Sequence, residues 1–298
     1  MKNNPLLSII IVNYNTAKIT IDCLKSIYQD KGLKDIPFEI IIIDNNSKDD
    51  SLAKINKLNK NNIVIIKNTT NAGFGPANNQ GIAIAKGNYY LLLNTDTVIL
   101  HSAISQSLNW LSSHPESYGC TAQLLNADKS IQASGGTFPN LSNIFTWCLG
   151  LDDLPFVNKI IKPFHPHTPH FYTHDKYYLY DHSQDWVTGA FMLLRKEAVK
   201  KVSGFDPKIF MYGEEYEMCF RIHKQFPKQS IWYLVGPQVI HLGGASSENK
   251  QIIFDREYEG VITFFKLHRP QYQLPIVKAL LKINQFLQLH VYKLIKHV

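Results

Sequence analysis

Apolar runs alternate with helical repeats in the amino-terminal part of the chain. Strands are predicted for residues 8–12, 38–43, 63–67 and 89–93, and helices for residues 16–28, 50–58 and 77–85. The last of these strands is an unbroken aromatic and aliphatic run, which is typical of a strand that is buried on both faces. Strands that alternate with helices in this order form a parallel sheet with right-handed crossovers. The pattern therefore predicts an α/β fold with a central, mostly parallel sheet flanked by helices.

Polar side chains follow the predicted strands at the points where those strands end. They are Asn13, Asp44, Asn71 and Asp96. Because the carboxyl ends of parallel strands form one edge of a sheet, we expect these residues to converge on a single crevice. There Asp44 can accept hydrogen bonds from a base or ribose, and Asp96 can hold Mg²⁺ or Mn²⁺ against a diphosphate. A plain turn at residues 94–96 is the alternative, because Asn-Thr-Asp is also favourable turn chemistry.

The turns after the strands exclude two common nucleotide-binding classes. A dinucleotide-binding fold carries Gly-x-Gly-x-x-Gly after its first strand, whereas this chain has Asn13-Tyr14-Asn15-Thr16 there. The Gly-x-x-x-x-Gly-Lys-Ser/Thr loop of a phosphate-loop NTPase is also absent from the sequence. The formal net charge of +7 is spread along the chain and favours anionic partners such as nucleotides, diphosphates or acidic lipid surfaces. Nucleic acid is disfavoured, because the sequence has no zinc-finger spacing, RNP-type strand or arginine-rich arm.

Composition indicates a folded chain in a reducing compartment. A length of 298 residues with 45% hydrophobic content suffices for one large α/β domain with an appendage. The four cysteines stand far apart without a Cys-x-x-Cys pair, which predicts neither a zinc site nor a disulfide framework. No apolar run approaches the ~18 residues that cross a bilayer, and the first apolar run is predicted to be a strand rather than a signal peptide. These features predict a cytoplasmic protein.

The middle of the chain is less regular than its beginning. A helix is predicted for residues 102–112 and a turn near residues 123–128, without any assigned chemistry. Residues 138–185 are rich in proline, aromatic residues and histidine, and the histidines are His165, His167, His170, His174 and His182. Such a stretch can bind metal, although the prolines favour a plain loop. A strand is predicted for residues 186–194, with Gly189 marking a close approach of the backbone to a ligand or a neighbouring strand.

The chain changes character after residue 270. Residues 274–298 repeat apolar side chains at helical spacings with lysines among them, which predicts one or two basic amphipathic helices. Such a segment either packs on the domain or lies on an anionic membrane surface. From the sequence both interpretations stay open, as does the formation of a homodimer.

A series of ordered motifs resembles the signatures of family 2 glycosyltransferases, most closely the bacterial rhamnosyltransferase-like branch with the GT-A fold. The motifs span about residues 5–250 in the order of that family. They include Val12-Asn13-Tyr14-Asn15, Asp44-Asn45-Asn46-Ser47, Asn71-Ala72-Gly73-Phe74-Gly75, Leu93-Asn94-Thr95-Asp96, Thr188-Gly189-Ala190, Tyr212-Gly213-Glu214-Glu215 and His241-Leu242-Gly243-Gly244.

The resemblance implies a GT-A glycosyltransferase domain at residues 1–270 and a helical tail at residues 271–298. The domain divides into a nucleotide-binding half at about residues 5–100 and an acceptor or catalytic half at about residues 101–270. The donor-binding residues that the resemblance implies are Asn13, Asp44, Asn71, Gly73, Asn79, Asn94, Asp96 and Gly189. It further implies Asp96 and His241 as ligands of Mg²⁺ or Mn²⁺, Glu215 as general base where the family usually has Asp, and Trp186, Glu214 and Glu217 on the acceptor side.

Several of these implied roles have simpler alternatives. Glu214, Glu215 and Glu217 are also favoured at the start of a helix by its macrodipole. Trp186, which is implied to stack on a sugar face, can equally be a core or rim aromatic. A lone histidine after a strand, as at His241, is commonly structural.

The function that the resemblance implies is metal-dependent, inverting glycosyl transfer in the cytoplasm or at the inner face of the cell membrane. A hexose, with rhamnose as a candidate, would pass from a dTDP- or UDP-linked donor to a hydroxyl of a cell-surface polysaccharide or lipid-linked glycan. A nucleotidyltransferase is the alternative enzyme, but it would typically carry a glycine-rich loop after the first strand. An inactive nucleotide-sugar-binding scaffold is the other alternative, and the Glu215 substitution is its only support.

Overall fold

A computed structural model of the chain describes residues 4–152, 154, 156–166, 176–243 and 250–290. Three residues of the histidine-rich stretch (His167, His170 and His174), residues 244–246 of the last motif and residues 291–298 of the tail lie outside this part. Within the described part, no helix is both long enough and apolar enough to span a bilayer.

The strands of the described residues form one sheet. In chain order they are β1 (Leu7–Asn13), β2 (Phe38–Asp44), β3 (Ile63–Lys67), β4 (Tyr89–Asn94), β5 (Thr97–Leu100), β6 (Ser117–Leu125), β7 (His182–Gln184), β8 (Phe191–Arg195) and β9 (Ser230–His241). Along the sheet they lie in the order β3-β2-β1-β4-β8-β6-β9-β5, and β7 also pairs with β9.

Helices cover both faces of this sheet. They are α1 (Ala17–Tyr28), α2 (Ser51–Lys57), α3 (Phe74–Ile84), α4 (Ala103–Ser113), α5 (Leu141–Cys148), α6 (Val157–Ile160), α7 (Lys196–Lys201), α8 (Glu214–Gln225), α9 (Lys250–His268) and α10 (Gln273–His290). Short 3-10 helices lie at Lys31–Leu33 and Tyr177–Leu179. The α/β fold that the alternating pattern predicts is confirmed.

The amino-terminal half of the sheet is parallel, and the other half is mixed. β3, β2, β1 and β4 pair in parallel, joined by α1, α2 and α3. β8 then runs antiparallel to both β4 and β6, whereas β6 and β9 are parallel to each other. A helical crossover returns the chain to the same end of the sheet, so the regular strand and helix alternation of the first half produces the parallel pairs.

The ends of the parallel strands lie level with one another. Asn13 is the register partner of Asp44, and the preceding Val12 is the partner of Asn94. The carboxyl ends of β1, β2 and β4 therefore form one edge, as expected from their common direction.

Two hydrophobic cores lie on opposite faces of the sheet. Ile9 and Ile11 of β1 belong to the core that α1 and α4 cover. Ile10, between them, belongs to the core that α3, α8 and α9 cover. Successive side chains of a strand point to opposite faces, so the unbroken apolar runs of these strands supply both cores at once.

The predicted strand at residues 186–194 is shorter in the structure than in the prediction. Continuous pairing begins at Phe191, in β8, and before it Trp186 forms an isolated bridge with Gly136. The backbone amide of Gly189 instead donates a hydrogen bond to Glu215 Oε1 over 3.0 Å. The turn predicted near residues 123–128 also starts later, because β6 continues to Leu125. In both places the apolar pattern is correct, but pairing partners from distant segments decide where the strand starts and ends.

The tail packs on the domain through one face of α10. Val277, Leu280 and Leu281 are buried in the core, and the Asn284 side-chain amide donates to the Cys148 carbonyl oxygen over 2.8 Å. The opposite face carries the exposed apolar and basic residues Ile276, Lys278, Lys282 and Ile283. The predicted amphipathic helix therefore has its packing face on the domain and a second, exposed face.

Candidate active site

A cavity opens at the carboxyl edge of the parallel strands. Its volume is about 290 Å³, close to the lower end of the range for ligand pockets, about 300–1,000 Å³. It is lined by residues at the ends of β1, β2, β4 and β9, in the loop before α3 and at the start of α8. Among them are Thr16, Asn45, Asn71, Gly73, Asn94, Asp96, Glu214, Glu215 and His241.

The side chains of Asn13 and Asp44 lie behind the cavity wall rather than on it. Both are buried, and Asn13 Nδ2 donates to Asp44 Oδ1 over 2.8 Å. The backbone amide of Ser47 donates to Asp44 Oδ2 over 3.2 Å, so both carboxylate oxygens already have protein partners. The two residues therefore brace the turn after β2, beside the positions from which a ligand would be contacted.

Asn45 lines the cavity where the sequence predicted Asp44. Its Nδ2 donates to Asn71 Oδ1 over 3.0 Å and to the Gly73 carbonyl oxygen over 3.1 Å. Its Oδ1 accepts from Asn68 Nδ2 over 2.8 Å. Asn45 thus ties the end of β2 to the loop before α3, and only the position of that loop reveals this role. The sequence signal that could have indicated Asn45 was its place in the Asp44-Asn45-Asn46-Ser47 motif after β2.

The loop before α3 depends on a glycine. Gly73 has a φ of +88°, and a Cβ at this position would lie 2.4 Å from the Phe210 carbonyl oxygen. A left-handed φ and so close a backbone approach both require glycine. Asn71 and Gly73 line the cavity as predicted for donor-loop residues, whereas Asn79 lies elsewhere. Asn79 holds Phe205 through both its amide nitrogen and its amide oxygen, over 2.9 Å each.

Asp96 and His241 meet at the other side of the cavity. His241 Nε2 lies 3.3 Å from Asp96 Oδ1 and 3.5 Å from Asn94 Nδ2. His241 Nδ1 lies 2.6 Å from Gln132 Oε1, which can only accept a hydrogen bond. In a neutral imidazole Nδ1 therefore carries the proton, and the Nε2 lone pair faces the Asp96 carboxylate. Two facing acceptors require a proton or a cation between them.

The residues at this position fit a divalent cation that shares its coordination with a ligand. The described residues contain no group of three or more His, Cys, Asp or Glu side chains arranged to enclose a metal. Asp96 and His241 alone would leave most positions of an octahedral ion open for phosphate oxygens and water, as Mg²⁺ and Mn²⁺ in nucleotide sites require. The imidazole favours Mn²⁺ of the two.

The first turn of α8 brings two carboxylates to the cavity. Glu215 Oε1 accepts the Gly189 amide, and a Cβ at Gly189 would lie 3.3 Å from that oxygen. Burial raises the pKa of Glu215, and hydrogen bonds from the Gly189, Glu215 and Gly213 amides offset part of the rise. Glu214 is buried, and its Oε2 has no hydrogen-bond partner among the residues that the structure describes. Burial, followed by the charge of Glu215, raises the pKa of Glu214 well above its ordinary value.

Glu217 and Trp186 lie away from the cavity. Glu217 is fully buried and pairs with Arg221 at 2.7 Å and His268 at 2.9 Å. Burial would raise its pKa, but hydrogen bonds from His268 and Arg221 lower it below the ordinary value. Trp186 is only 4% exposed, and its Nε1 donates to the Thr137 carbonyl oxygen over 3.1 Å. Glu217 fastens α8 to α9, and Trp186 is a core aromatic, the alternative that its sequence left open.

The family follows from a sequence comparison. The model of glycosyl transferase family 2 matches residues 8–203, which contain β2 to β8, all but the first residue of β1, and most of the residues that line the cavity. The chain belongs to glycosyl transferase family 2. Rhamnosyltransferase WbbL of Escherichia coli is similar to it, with 28% identity over 210 residues that cover 67% of this chain and 72% of that protein. The family activity, glycosyl transfer from nucleotide-sugar donors, is therefore the activity class of this protein.

Solved structures of glycosyltransferases share the fold. The mannosyltransferase PcManGT from Pyrobaculum calidifontis, in complex with GDP-Man and Mn²⁺, aligns with a TM-score of 0.55 at 14% identity, covering 95% of this chain and 70% of its own. TarS of S. aureus, in complex with UDP, aligns with a TM-score of 0.53 at 16% identity, covering 92% of this chain and 69% of its own. The fold of this member of family 2 is thus that of GT-A glycosyltransferases, as the motifs implied.

Proposed function

We propose that this protein is a metal-dependent, inverting glycosyltransferase that moves a hexose from a nucleoside diphosphate donor to a hydroxyl of a cell-surface polysaccharide or lipid-linked glycan. One observation carries the proposal: Asp96 and Glu215, which belong to separate motifs far apart in the sequence, line the same cavity. A cation-binding carboxylate and a free base within one pocket are the two groups that such a transfer needs on either side of the reacting carbon.

The donor would lie along the edge formed by Asn45, Asn71 and Gly73, with its diphosphate toward Asp96 and His241. A divalent cation held there supplies charge neutralisation to the leaving diphosphate. Asn94 faces the same position and can donate a hydrogen bond to a phosphate oxygen. We therefore expect the nucleotide end of the donor at this wall, and the sugar and the acceptor at the wall formed by α8.

Glu215 would act as the general base from the α8 wall. As the acceptor oxygen forms its bond to the anomeric carbon, the hydroxyl proton passes to Glu215 Oε2, the oxygen that the Gly189 amide does not hold. The bond from that carbon to the diphosphate breaks, and its electron pair leaves with the phosphate oxygen. Attack from the side opposite the leaving group inverts the anomeric configuration. The Gly189 amide holds Glu215 Oε1, so the base is oriented before substrate binds.

Glu214 would bind the acceptor as a neutral acid. Its buried Oε2 lacks a partner among the described residues, and burial raises the pKa of the carboxyl well above its ordinary value, which favours the neutral form. A protonated carboxyl can donate one hydrogen bond and accept another, which suits a sugar hydroxyl. The similarity to a rhamnosyltransferase makes dTDP-rhamnose the first donor to test, with UDP-linked hexoses next.

Nucleotide release by purified protein tests the proposal. With Mn²⁺ and a panel of nucleotide sugars, we expect slow release of nucleoside diphosphate from one donor, and we expect Glu215→Gln to reduce it by about 10²–10⁴-fold. Glutamine keeps the size of the side chain and an oxygen for the Gly189 amide. Release of pyrophosphate would instead indicate a nucleotidyltransferase, and binding without any turnover would indicate a scaffold.

The exposed face of α10 would bind an anionic membrane surface, where a lipid-linked acceptor would lie. Ile276 and Ile283 are 44% and 45% exposed, and Lys278 and Lys282 lie on the same exposed side. Apolar insertion combined with basic residues is the pattern of an interfacial helix. Because removal of α10 would uncover core residues, the test is vesicle co-sedimentation of the full chain against Lys278→Glu/Lys282→Glu. Equal binding of both to vesicles with anionic lipid would remove the idea.

A further inference from the structure

The turn after β6 places Gln132 against His241. Leu125, the last residue of β6, forms an isolated bridge with Ile131 across the turn. The backbone amide of Gln132 donates to the Leu124 carbonyl oxygen over 2.8 Å, which fixes the backbone from which the Gln132 side chain extends. These residues belong to the stretch of the sequence without any assigned chemistry.

The orientation of the Gln132 amide follows from its partners. Its Nε2 donates to the backbone carbonyl oxygen of His241 over 3.3 Å and to Asn126 Oδ1 over 3.0 Å. A backbone carbonyl can only accept, so the amide nitrogen must face it. Gln132 Oε1 therefore faces His241 Nδ1, over the distance of 2.6 Å. One amide thus holds both the ring and the main chain of the same histidine.

Beyond Gln132, the hydrogen bonds continue in a single direction to the surface. Asn126 Nδ2 donates to Ser130 Oγ over 2.9 Å, and Ser130 Oγ donates to Asp128 Oδ1 over 2.6 Å. Asp128 is exposed, and an ionised carboxylate is an acceptor only. Along this side-chain path from His241 the donors therefore point toward Asp128, and bonds aligned in this way polarise and strengthen one another.

We propose that Gln132 is a positioning residue that fixes the Nδ1–H tautomer of His241 and so makes Nε2 the nitrogen that binds the divalent cation. The proposal rests on the metal role of His241 in the proposed function and adds the residue that determines which ring nitrogen binds the cation. Without Gln132, the proton is free to move to Nε2, where it would donate to Asp96 Oδ1 and block the site. Partners of this kind orient metal-binding histidines and typically change metal affinity by about 10–100-fold.

The tautomer can be measured in the metal-free full chain. Long-range ¹H–¹⁵N correlation spectra of ¹⁵N-histidine-labelled protein at pH 8 distinguish a protonated from an unprotonated ring nitrogen, and the His241 signals are assigned by their loss in His241→Ala. We expect Nδ1–H in the wild type and in Gln132→Glu, which keeps an acceptor oxygen, but Nε2–H as the main form in Gln132→Leu. Detection of Nε2–H without Nδ1–H in the wild type would overturn the proposal whether or not any variant folds.

Cation binding supplies the second measurement. The dissociation constant for Mn²⁺, measured by electron paramagnetic resonance with a nucleoside diphosphate present, is expected to rise about 10–100-fold in Gln132→Leu. The matched control is Gln238→Leu, which removes a half-buried glutamine of β9 and its 2.8 Å bond to Gln123 Oε1 without touching His241. We expect wild-type Mn²⁺ affinity in this control.

The metal role of His241 and the positioning role of Gln132 can be refuted separately. Wild-type Mn²⁺ affinity in His241→Ala would refute the metal role assigned to that residue in the proposed function. Weakened binding in His241→Ala with wild-type affinity and wild-type tautomer in Gln132→Leu would leave the proposed function intact and refute the role of Gln132.

Discussion

Adding one methyl group at Gly189 is expected to slow turnover, because this glycine lies between Glu215, the proposed general base, and the aromatic ring of Phe74. A Cβ at Gly189 would lie 2.8 Å from both Cε1 and Cζ of Phe74 and 3.3 Å from Glu215 Oε1. Carbon atoms in contact are ordinarily about 3.5–4.0 Å apart, so the ring or the backbone must give way by roughly 0.7 Å or more. Overpacking of this kind costs about 1–3 kcal/mol of stability.

The effect on catalysis should exceed the effect on stability. The amide that would be displaced is the one that donates to Glu215 Oε1 over 3.0 Å. A misplacement of about 1 Å in an active site can cost about 10²-fold in rate, which corresponds to about 2.7 kcal/mol. For Gly189→Ala we therefore expect kcat to fall about 10²-fold. The assay is initial-rate release of nucleoside diphosphate from the preferred donor, with the melting temperature recorded in parallel.

Two comparisons make this result interpretable. Gly236→Ala adds the same methyl group where the nearest heavy atom, Gln106 Oε1, is 4.0 Å away, and it should keep wild-type kcat. Phe74→Leu removes the two clashing ring carbons, so Gly189→Ala should cost much less in that background than in the wild type. Wild-type kcat in Gly189→Ala would refute the positioning of the base by Gly189, and an equal loss in both backgrounds would refute the clash with Phe74.

Three further predictions concern charge and backbone strain. Asp96→Asn removes the side-chain charge but keeps the hydrogen bond of 2.9 Å from the Leu242 amide to the backbone carbonyl oxygen of this position. It should weaken Mn²⁺ binding at least about tenfold, as measured by titration calorimetry. Unchanged affinity would contradict the proposed role of Asp96 as a ligand. Glu214→Gln should raise the melting temperature, and by more at pH 8 than at pH 5. Above the unfolded-state pKa of about 4.3, native Glu214 retains a proton that the unfolded chain releases. The stability of the wild type therefore falls as pH rises toward the raised folded-state pKa, whereas the variant has no such loss. A difference in melting temperature that does not change with pH would contradict the raised pKa of Glu214. Gly204 has a φ of +72°, and a Cβ there would lie 2.3 Å from Asn79 Oδ1. Gly204→Ala should therefore lower the free energy of unfolding by about 1–3 kcal/mol in urea titrations. A loss below about 0.5 kcal/mol would show that the turn relaxes freely.

The sequence alone determined the layout of the parallel half and the edge that carries the site. Apolar runs separated by helical repeats allow few arrangements, since each strand must bury both faces and each crossover is right-handed. Because the strands run in the same direction, their carboxyl ends lie together at one edge of the sheet. For that reason Asn71 and Asp96 were predicted to share one crevice and both line it, whereas Asn13 and Asp44, predicted with them, lie beside it. The ordered motifs likewise brought Glu215 and His241 to this crevice from the second half of the chain.

The tertiary structure decided which polar side chain at each position faces the cavity. Asp44 and Asn45 are adjacent in sequence, yet the first braces a turn and the second contacts the donor loop. Glu214 and Glu217 lie one helical turn apart in α8, yet only Glu214 lines the cavity. The rotation of a helix about its axis and the exit angle of a turn depend on packing against segments that are distant in sequence, and no local pattern encodes them.

The role of Gln132 shows the same limit most clearly. A glutamine after a turn has no chemistry of its own, and 109 residues separate it from His241. The parallel pairing of β6 with β9 brings the two together at neighbouring strand ends. Sequence periodicity determined which segments become strands and which end of them is functional. The pairing of strands far apart in the chain decided which side chains touch, because contact distance in a folded protein is set by packing rather than by separation along the chain.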